Sequence, residues 1–220
     1  MHLPIKTLFA IAIIVLIGSS GFMALSVGTQ TSSTNIIRIA CVGDSITWGF
    51  GYPETLQTKL GENFVVNNFG ASASTVLTTS TKPYVDQYMF QRSKVFQPSI
   101  VIIMLGTNDA QPTSLGGLDN FAEDYKELIN EYQRLPTDPE IWLVTPPPIY
   151  ENDYEWDNVI LEEHLIPKIK QVANELDLPV IDVNSALTDY PRYFADGVHP
   201  NTEGTSLITE TIYQALILSI

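Results

Sequence analysis

The chain has 220 residues, with 25 acidic and 11 basic side chains and a net charge of −14 at pH 7. This length predicts one domain with a short extension, and the strong negative charge disfavours nucleic acid and anionic membrane surfaces as ligands. Cys41 is the single cysteine, so the chain has no intramolecular disulfide.

The first 27 residues are predicted to be a targeting segment rather than part of the fold. An uncharged run from Leu8 to Leu25 follows Lys6, and its solid apolar part, Leu8 to Ile17, has the length of a signal-peptide core. The whole run also reaches the roughly 18 residues at which a membrane anchor becomes a candidate. We therefore expect a signal peptide or an N-terminal anchor over residues 1–27 and an exported domain.

A polar, turn-rich linker is predicted over residues 28–35, and one domain over residues 36–220, where ten basic and all 25 acidic residues give a net charge of about −15. Short apolar runs predict strands at 36–42, 64–68, 99–105, 140–145 and 179–183. Helices are predicted at Pro53–Leu60, Tyr84–Phe96, Asn120–Leu135, Asn158–Leu176 and about Thr202 to Leu218, and Pro167 should kink or restart the fourth of these.

This alternation of strands and helices predicts an α/β fold, a three-layer α/β/α sandwich on a five-stranded parallel sheet. In such sheets ligands bind beyond the carboxyl ends of the strands. Cys41 lies within the first strand pattern, where a small buried core residue fits better than a lipidated one.

A serine follows the first predicted strand, in Gly43-Asp44-Ser45. Ser45 would lie at a strand-to-helix turn, where backbone N–H groups favour developing negative charge. A helix N-cap is the alternative for a serine in this position. The sequence has no G-x-S-x-G, which argues against an α/β-hydrolase.

A serine nucleophile needs a base, and the domain has two histidines. His164 falls in a predicted helix among apolar residues, which indicates a structural role. His199 lies in the loop before the last helix, three residues after Asp196, whose carboxylate could orient the imidazole. A turn aspartate beside a surface histidine is the alternative, whereas a zinc site would need further ligands.

The second and third predicted strands also end in polar or small residues. Asn108 follows the third strand, where a side-chain amide can stabilise an oxyanion and where a turn asparagine is the alternative. The segment 67–75, after the second strand, has small residues that let backbone N–H groups approach a ligand.

These blocks, in this order, resemble the GDSL/SGNH hydrolase family over essentially the whole domain. The resemblance implies a serine esterase fold and chemistry, with Ser45 as nucleophile and Asp196 and His199 as its triad partners. It also implies an oxyanion hole formed by the N–H of Ser45 and the amide of Asn108. Neither a metal nor another cofactor is expected.

The second block departs from the family pattern, which has a glycine five residues after the block's asparagine. Counting from Asn68 leads to Ala73, which we keep as the second backbone donor on the condition that its φ is negative. Gly70 is the substitute if the block aligns differently. The extra methyl of Ala73 would narrow the acyl pocket.

Within the family, three segments most resemble bacterial carbohydrate O-acetylesterases, including sialate-esterase-like proteins: Asn68-Phe69-Gly70, Pro83-Tyr84 and Thr145-Pro146-Pro147-Pro148. The resemblance implies a glycan or other small ester as substrate. The alternatives are a lysophospholipase or thioesterase on the same scaffold, and a non-catalytic glycan-binding module. Asp44 is a candidate for bracing the nucleophile loop. Four aromatic residues are candidates for the rim of the site: Trp48, Tyr52, Tyr150 and Trp156.

Overall fold

The structure is a computed structural model that describes residues 36–219. The predicted targeting segment at 1–27 and the predicted linker at 28–35 lie outside these residues. Within the described range, no helix has both the length and the apolar character needed to cross a membrane.

The core of the fold is a five-stranded sheet in which all neighbouring strands are parallel. Its strands are β1 (Ile37–Gly43), β2 (Phe64–Gly70), β3 (Ile100–Met104), β4 (Glu140–Val144) and β5 (Val180–Ile181), in the spatial order β2-β1-β3-β4-β5. This is the strand order of flavodoxin-like folds. The predicted fold class is confirmed.

Within residues 36–219, seven α-helices connect and cover the strands: α1 (Ser45–Gly49), α2 (Tyr52–Leu60), α3 (Tyr88–Val95), α4 (Phe121–Gln133), α5 (Ile166–Glu175), α6 (Val183–Leu187) and α7 (Thr202–Ile217). Side chains of β1 alternate between two apolar cores, because successive residues of a strand face opposite sides of a sheet. Ile39 and Cys41 pack in the core with α2 and α7, whereas Ala40 and Val42 pack in the core with α4 and α5.

Two predicted helices are divided in the structure. The segment predicted over Tyr84–Phe96 is a 3₁₀ turn at Tyr84–Asp86 followed by α3, because the extended backbone of Gln87 interrupts it. The segment predicted over Asn158–Leu176 contains a π-helical turn at Ile160–Leu165 before α5. Pro167 is in the first turn of α5, where its missing N–H costs nothing.

Candidate active site

The sheet register brings the loops after β1, β2 and β3 together. Gly43, the last residue of β1, lies beside Gly70 of β2 and Met104 of β3, so the three strands end at the same level. The strand order reverses between β1 and β3, and ligands bind at such a point in parallel sheets. Ser45, the segment after Gly70 and Asn108 therefore share one edge of the sheet.

Ser45 is the first residue of α1, and Asp44, not Ser45, is the N-cap of that helix. The Asp44 carboxylate accepts a hydrogen bond from the N–H of Ile46 at 2.9 Å, and its carbonyl accepts one from the N–H of Trp48 at 2.9 Å. With Asp44 as the cap, the Ser45 hydroxyl is available to another partner.

That partner is His199. The distance from Ser45 Oγ to His199 Nε2 is 3.0 Å, and His199 Nδ1 lies 2.7 Å from Asp196 Oδ2. With Nδ1–H donating to the carboxylate, the Nε2 lone pair is directed at the serine hydroxyl. The three residues thus form one continuous row of hydrogen bonds.

Hydrogen bonds within the loop hold Asp196 and His199 in place. Asp196 Oδ1 accepts hydrogen bonds from the N–H groups of Val198 and His199, at 3.0 and 2.7 Å, and a β-bridge joins Phe194 to Pro200. Partial burial alone would raise the pKa of Asp196, but these N–H donors and the imidazole outweigh it and hold the pKa below its usual value. Asp196 therefore stays ionised beside the imidazole at neutral pH.

Aromatic side chains enclose the imidazole on two sides. Phe50 stacks on His199 with ring centroids 4.9 Å apart and an angle of 16° between the planes. Trp156 and Tyr154 meet it edge-on at 6.1 and 6.5 Å. Trp156 was predicted at the rim, whereas sequence reasoning missed Phe50 and Tyr154, because no motif marks them and only the fold brings them to His199.

Asn108 is held with its amide facing a cleft. One N–H of its Nδ2 donates to the carbonyl of Ser74 at 3.0 Å, and the side chain is nearly buried yet lines the cleft. An amide nitrogen carries two hydrogens. The second N–H is therefore left for a group bound in the cleft.

Ala73 also lines this cleft, but its backbone differs from the one we expected. Its φ is +60°, in the left-handed region that favours glycine, so the expected negative φ is wrong. The alanine occupies a position suited to the family's usual glycine, at a cost of about 1–2 kcal/mol. Among residues 36–219, its N–H has no backbone or side-chain acceptor and is free for a ligand.

Gly70 is a poorer candidate for the oxyanion donor. Its N–H already donates to Asn68 Oδ1 at 3.0 Å. A Cβ at this position would lie 2.3 Å from the backbone nitrogen of Trp48, so the glycine allows β2 to pack against α1. Geometry therefore favours Ala73 over Gly70 as the second backbone donor.

Two buried carboxyl groups lie behind the site. Burial raises the pKa of Asp44 to about 6, although the N–H of Ile46 partly offsets the effect. Burial raises the pKa of Asp109 to about 7; the N–H groups of Leu77 and Val76, which donate to its two oxygens at 2.9 and 3.0 Å, oppose the rise, and the nearby Asp44 adds to it. Sequence reasoning assigned no role to Asp109, although it directly follows Asn108.

The other predicted rim residues are scattered. Trp48 is 59% exposed on α1 and is available to a ligand, whereas Tyr52 is buried in the core beneath the sheet. The hydroxyl group of Tyr150 donates a hydrogen bond to the carbonyl of Leu187. His164 is exposed on the π-helical turn rather than packed in the core. These positions leave Trp48 and Trp156 as the two rim candidates.

Ala73, Asn108 and Trp156, whose ring meets that of His199, form part of the wall of a cleft of about 400 Å³. Most of the remaining lining side chains carry a hydroxyl group: Thr75, Thr79, Ser80, Thr81, Thr113 and Ser114. The cleft is therefore suited to a ligand with many hydrogen-bonding groups. In the range 36–219, no three acidic, histidine or cysteine side chains are grouped as a metal site requires.

Comparison with known proteins identifies the family. The sequence profile of the GDSL-like lipase/acylhydrolase family matches residues 41–207. The chain belongs to this family. As a member, the domain is a carboxylic ester hydrolase, and the predicted family and enzyme class are confirmed.

One curated relative is an acetylxylan esterase from Xylanibacter ruminicola, 32% identical over 206 residues, which cover 82% of this chain and 43% of the relative. The chain thus spans less than half the length of this relative.

Solved structures show the same fold. A carbohydrate acetylesterase family member from Sinorhizobium meliloti is 25% identical with a TM-score of 0.67, covering 83% of this chain and 98% of that one. The aryl esterase of M. smegmatis is 21% identical with a TM-score of 0.68, covering 84% of this chain and 100% of that one.

Proposed function

We propose that this protein is a serine esterase that removes O-acetyl groups from carbohydrates. The observation that carries the proposal is the hydrogen-bonded row of Ser45, His199 and Asp196. Trp156 contacts the ring of His199 and also lines a cleft rich in hydroxyl groups. The similarity to an acetylxylan esterase and to a carbohydrate acetylesterase supports the same substrate class.

In this proposal the reaction is acyl transfer to water. His199 takes the proton of Ser45, whose oxygen attacks the ester carbonyl, and Asp196 stabilises the imidazolium that forms. His199 then protonates the departing sugar alcohol and afterwards activates the water that releases acetate. Phe50 and Trp156 shield the imidazole from bulk water on two sides, which strengthens its interaction with Asp196.

The negative charge that develops on the carbonyl oxygen needs donors fixed in advance. In our proposal these are the N–H groups of Ser45 and Ala73 and the free N–H of Asn108. Two observations support the assignment: the Ser74 carbonyl fixes the Asn108 amide, and the Ala73 N–H has no acceptor within the described residues. Asp44 fixes the start of α1 and, with it, the position of Ser45.

The lining of the cleft argues against the lysophospholipase or thioesterase alternative. A lysophospholipase or thioesterase needs an apolar channel for a long acyl chain, whereas Leu77 is the largest aliphatic side chain lining this cleft. Hydrolysis of p-nitrophenyl acetate and p-nitrophenyl octanoate should therefore show a clear preference for acetate. A preference for octanoate would contradict the carbohydrate proposal and support the lipid one.

The decisive experiment is acetate release from acetylated xylan, with Ser45→Ala as control. Wild type should release acetate and should be labelled by a fluorophosphonate, and the variant should do neither. An unlabelled, inactive wild type would favour the non-catalytic glycan-binding alternative.

We also propose that the domain acts outside the cytoplasm, secreted or held by its N-terminal segment. The support is the uncharged run from Leu8 to Leu25 in the sequence. Cell fractionation with N-terminal sequencing of the mature protein tests this. An intact N-terminus on cytosolic protein would contradict it.

A further inference from the structure

The cleft bordered by Ala73, Asn108 and Trp156 is larger than an acetyl group requires. Its volume of about 400 Å³ can accept sugar units next to the esterified one. Ala73 and Asn108, two of the three proposed oxyanion donors, line it, so a sugar whose acetyl carbonyl binds these donors lies next to the cleft. The side chains that line the cleft therefore influence which sugars can lie next to the acetylated one.

The cleft differs in charge from the rest of the protein. The chain carries 25 acidic and 11 basic residues, yet Lys82 is the one charged side chain among those that line the cleft. No carboxylate lines it within the part of the chain that the structure describes. Lys82 therefore lines the cleft without a carboxylate to balance its charge.

Most basic side chains of the domain are already occupied. Five of the ten make ion pairs with carboxylates: Lys59, Lys94, Lys126, Arg134 and Lys170. Three others lie over aromatic rings: Arg38, Arg92 and Arg192. Over residues 36–219, only Lys82 and Lys168 do neither, so the Lys82 ammonium group is available to a ligand.

The backbone of Lys82 is anchored although its side chain is exposed. Its carbonyl accepts the N–H of Thr75 at 3.1 Å, and its N–H donates to Ser80 Oγ at 3.1 Å. The same loop is held to the domain by Asp109, which accepts the N–H of Val76 and of Leu77. The lysine is thus fixed at the wall of the cleft rather than on a free loop.

We propose that Lys82 binds the carboxylate of an acidic sugar next to the acetylated one, so that the preferred substrates are acetylated glycans that carry uronic acid. This inference rests on the proposed function and adds a substrate class to it. The hydroxyl side chains of the cleft bind the neutral part of the sugar, and Lys82 supplies the counter-charge that a uronate requires.

Binding to the inactive Ser45→Ala protein tests the inference without turnover. The probes are acetylated xylo-oligosaccharides with and without one glucuronic acid branch, titrated by calorimetry. The branched probe should bind about fivefold more tightly, the upper range for an exposed charge pair. Added salt should weaken this preference, because it screens exposed charges.

Substitutions at two lysines separate recognition from general electrostatics. In the Ser45→Ala background, Lys82→Gln should remove the preference for the branched probe, and Lys82→Arg should retain it. Lys168→Gln makes the same change of net charge away from the cleft and should leave the preference intact. Equal affinities for the two probes, or an equal loss with Lys168→Gln, would overturn the inference.

Turnover by the protein with intact Ser45 keeps the two proposals distinguishable. Acetate release from both probes with no preference between them would overturn the role of Lys82 and leave the esterase standing. A binding preference in Ser45→Ala without acetate release by the wild type would support Lys82 and count against the esterase.

Discussion

Replacing Asp44 by asparagine should make the domain more stable at neutral pH. Burial raises the pKa of Asp44 from 3.8 to about 6, so the folded state takes up a proton that the unfolded chain releases. Because the carboxyl pKa is higher in the folded state, ionisation of Asp44 destabilises that state. This loss of unfolding free energy grows as the pH rises from about 4 to 6 and is constant above pH 6. The difference between 3.8 and about 6 corresponds to at most about 3 kcal/mol.

Asparagine retains the oxygen that accepts the N–H of Ile46 and is as good an N-cap as aspartate. Urea unfolding of wild type and Asp44→Asn at pH 4, 6 and 8 measures the effect. The variant's free energy of unfolding relative to wild type should rise by up to about 3 kcal/mol between pH 4 and pH 8. Asp119→Asn, at an exposed carboxylate, is the control and should show no such rise. A relative stability of Asp44→Asn that does not change with pH would refute the reasoning.

Three further substitutions test the site. Ala73→Gly should be neutral or stabilising by up to about 1 kcal/mol in thermal unfolding, because relief of the left-handed φ outweighs the added chain entropy, whereas Ala71→Gly, at an ordinary φ, should destabilise. Asn108→Ala should lower kcat by about 10²–10³ with the far-UV circular dichroism unchanged, and near-normal turnover would exclude it as an oxyanion donor. Phe50→Ala should lower kcat by at most about tenfold by freeing the ring of His199, and an unchanged kcat would show that the stacking has no role in the reaction.

The strands and the approximate helices could be predicted from the sequence because the strands are continuous apolar runs buried on both faces. Val101, Ile102 and Ile103 of β3 are all fully buried, which is what their unbroken apolar pattern indicates. Predicted helix ends were less accurate where a local interruption matters. The extended backbone at Gln87 leaves no strong signal in the sequence, since glutamine is a good helix former.

Some residues of the candidate site could be predicted from the sequence, whereas others depend on tertiary packing. Ser45, Asn108 and His199 could be placed because each lies at a strand end or in the loop before the last helix, which parallel topology brings to one edge of the sheet. Phe50 could not, since its contact with His199 spans most of the chain and depends on how α7 packs beside α2. The φ of Ala73 also depends on tertiary contacts, whereas an alanine by itself favours the negative φ that we expected.

The conformation of Ala73 shows how the site can keep a strained residue. A left-handed alanine costs about 1–2 kcal/mol, so the flanking loop must be held by interactions of greater total strength. Asn108 and Asp109, consecutive residues after β3, supply them: one binds the Ser74 carbonyl and the other binds the N–H groups of Val76 and Leu77. An ordinary hydrogen bond contributes about 0.5–1.5 kcal/mol net, so these three bonds together are enough to offset the strain. One short segment therefore fixes two of the proposed oxyanion donors, Ala73 and Asn108, and the loop that carries Lys82.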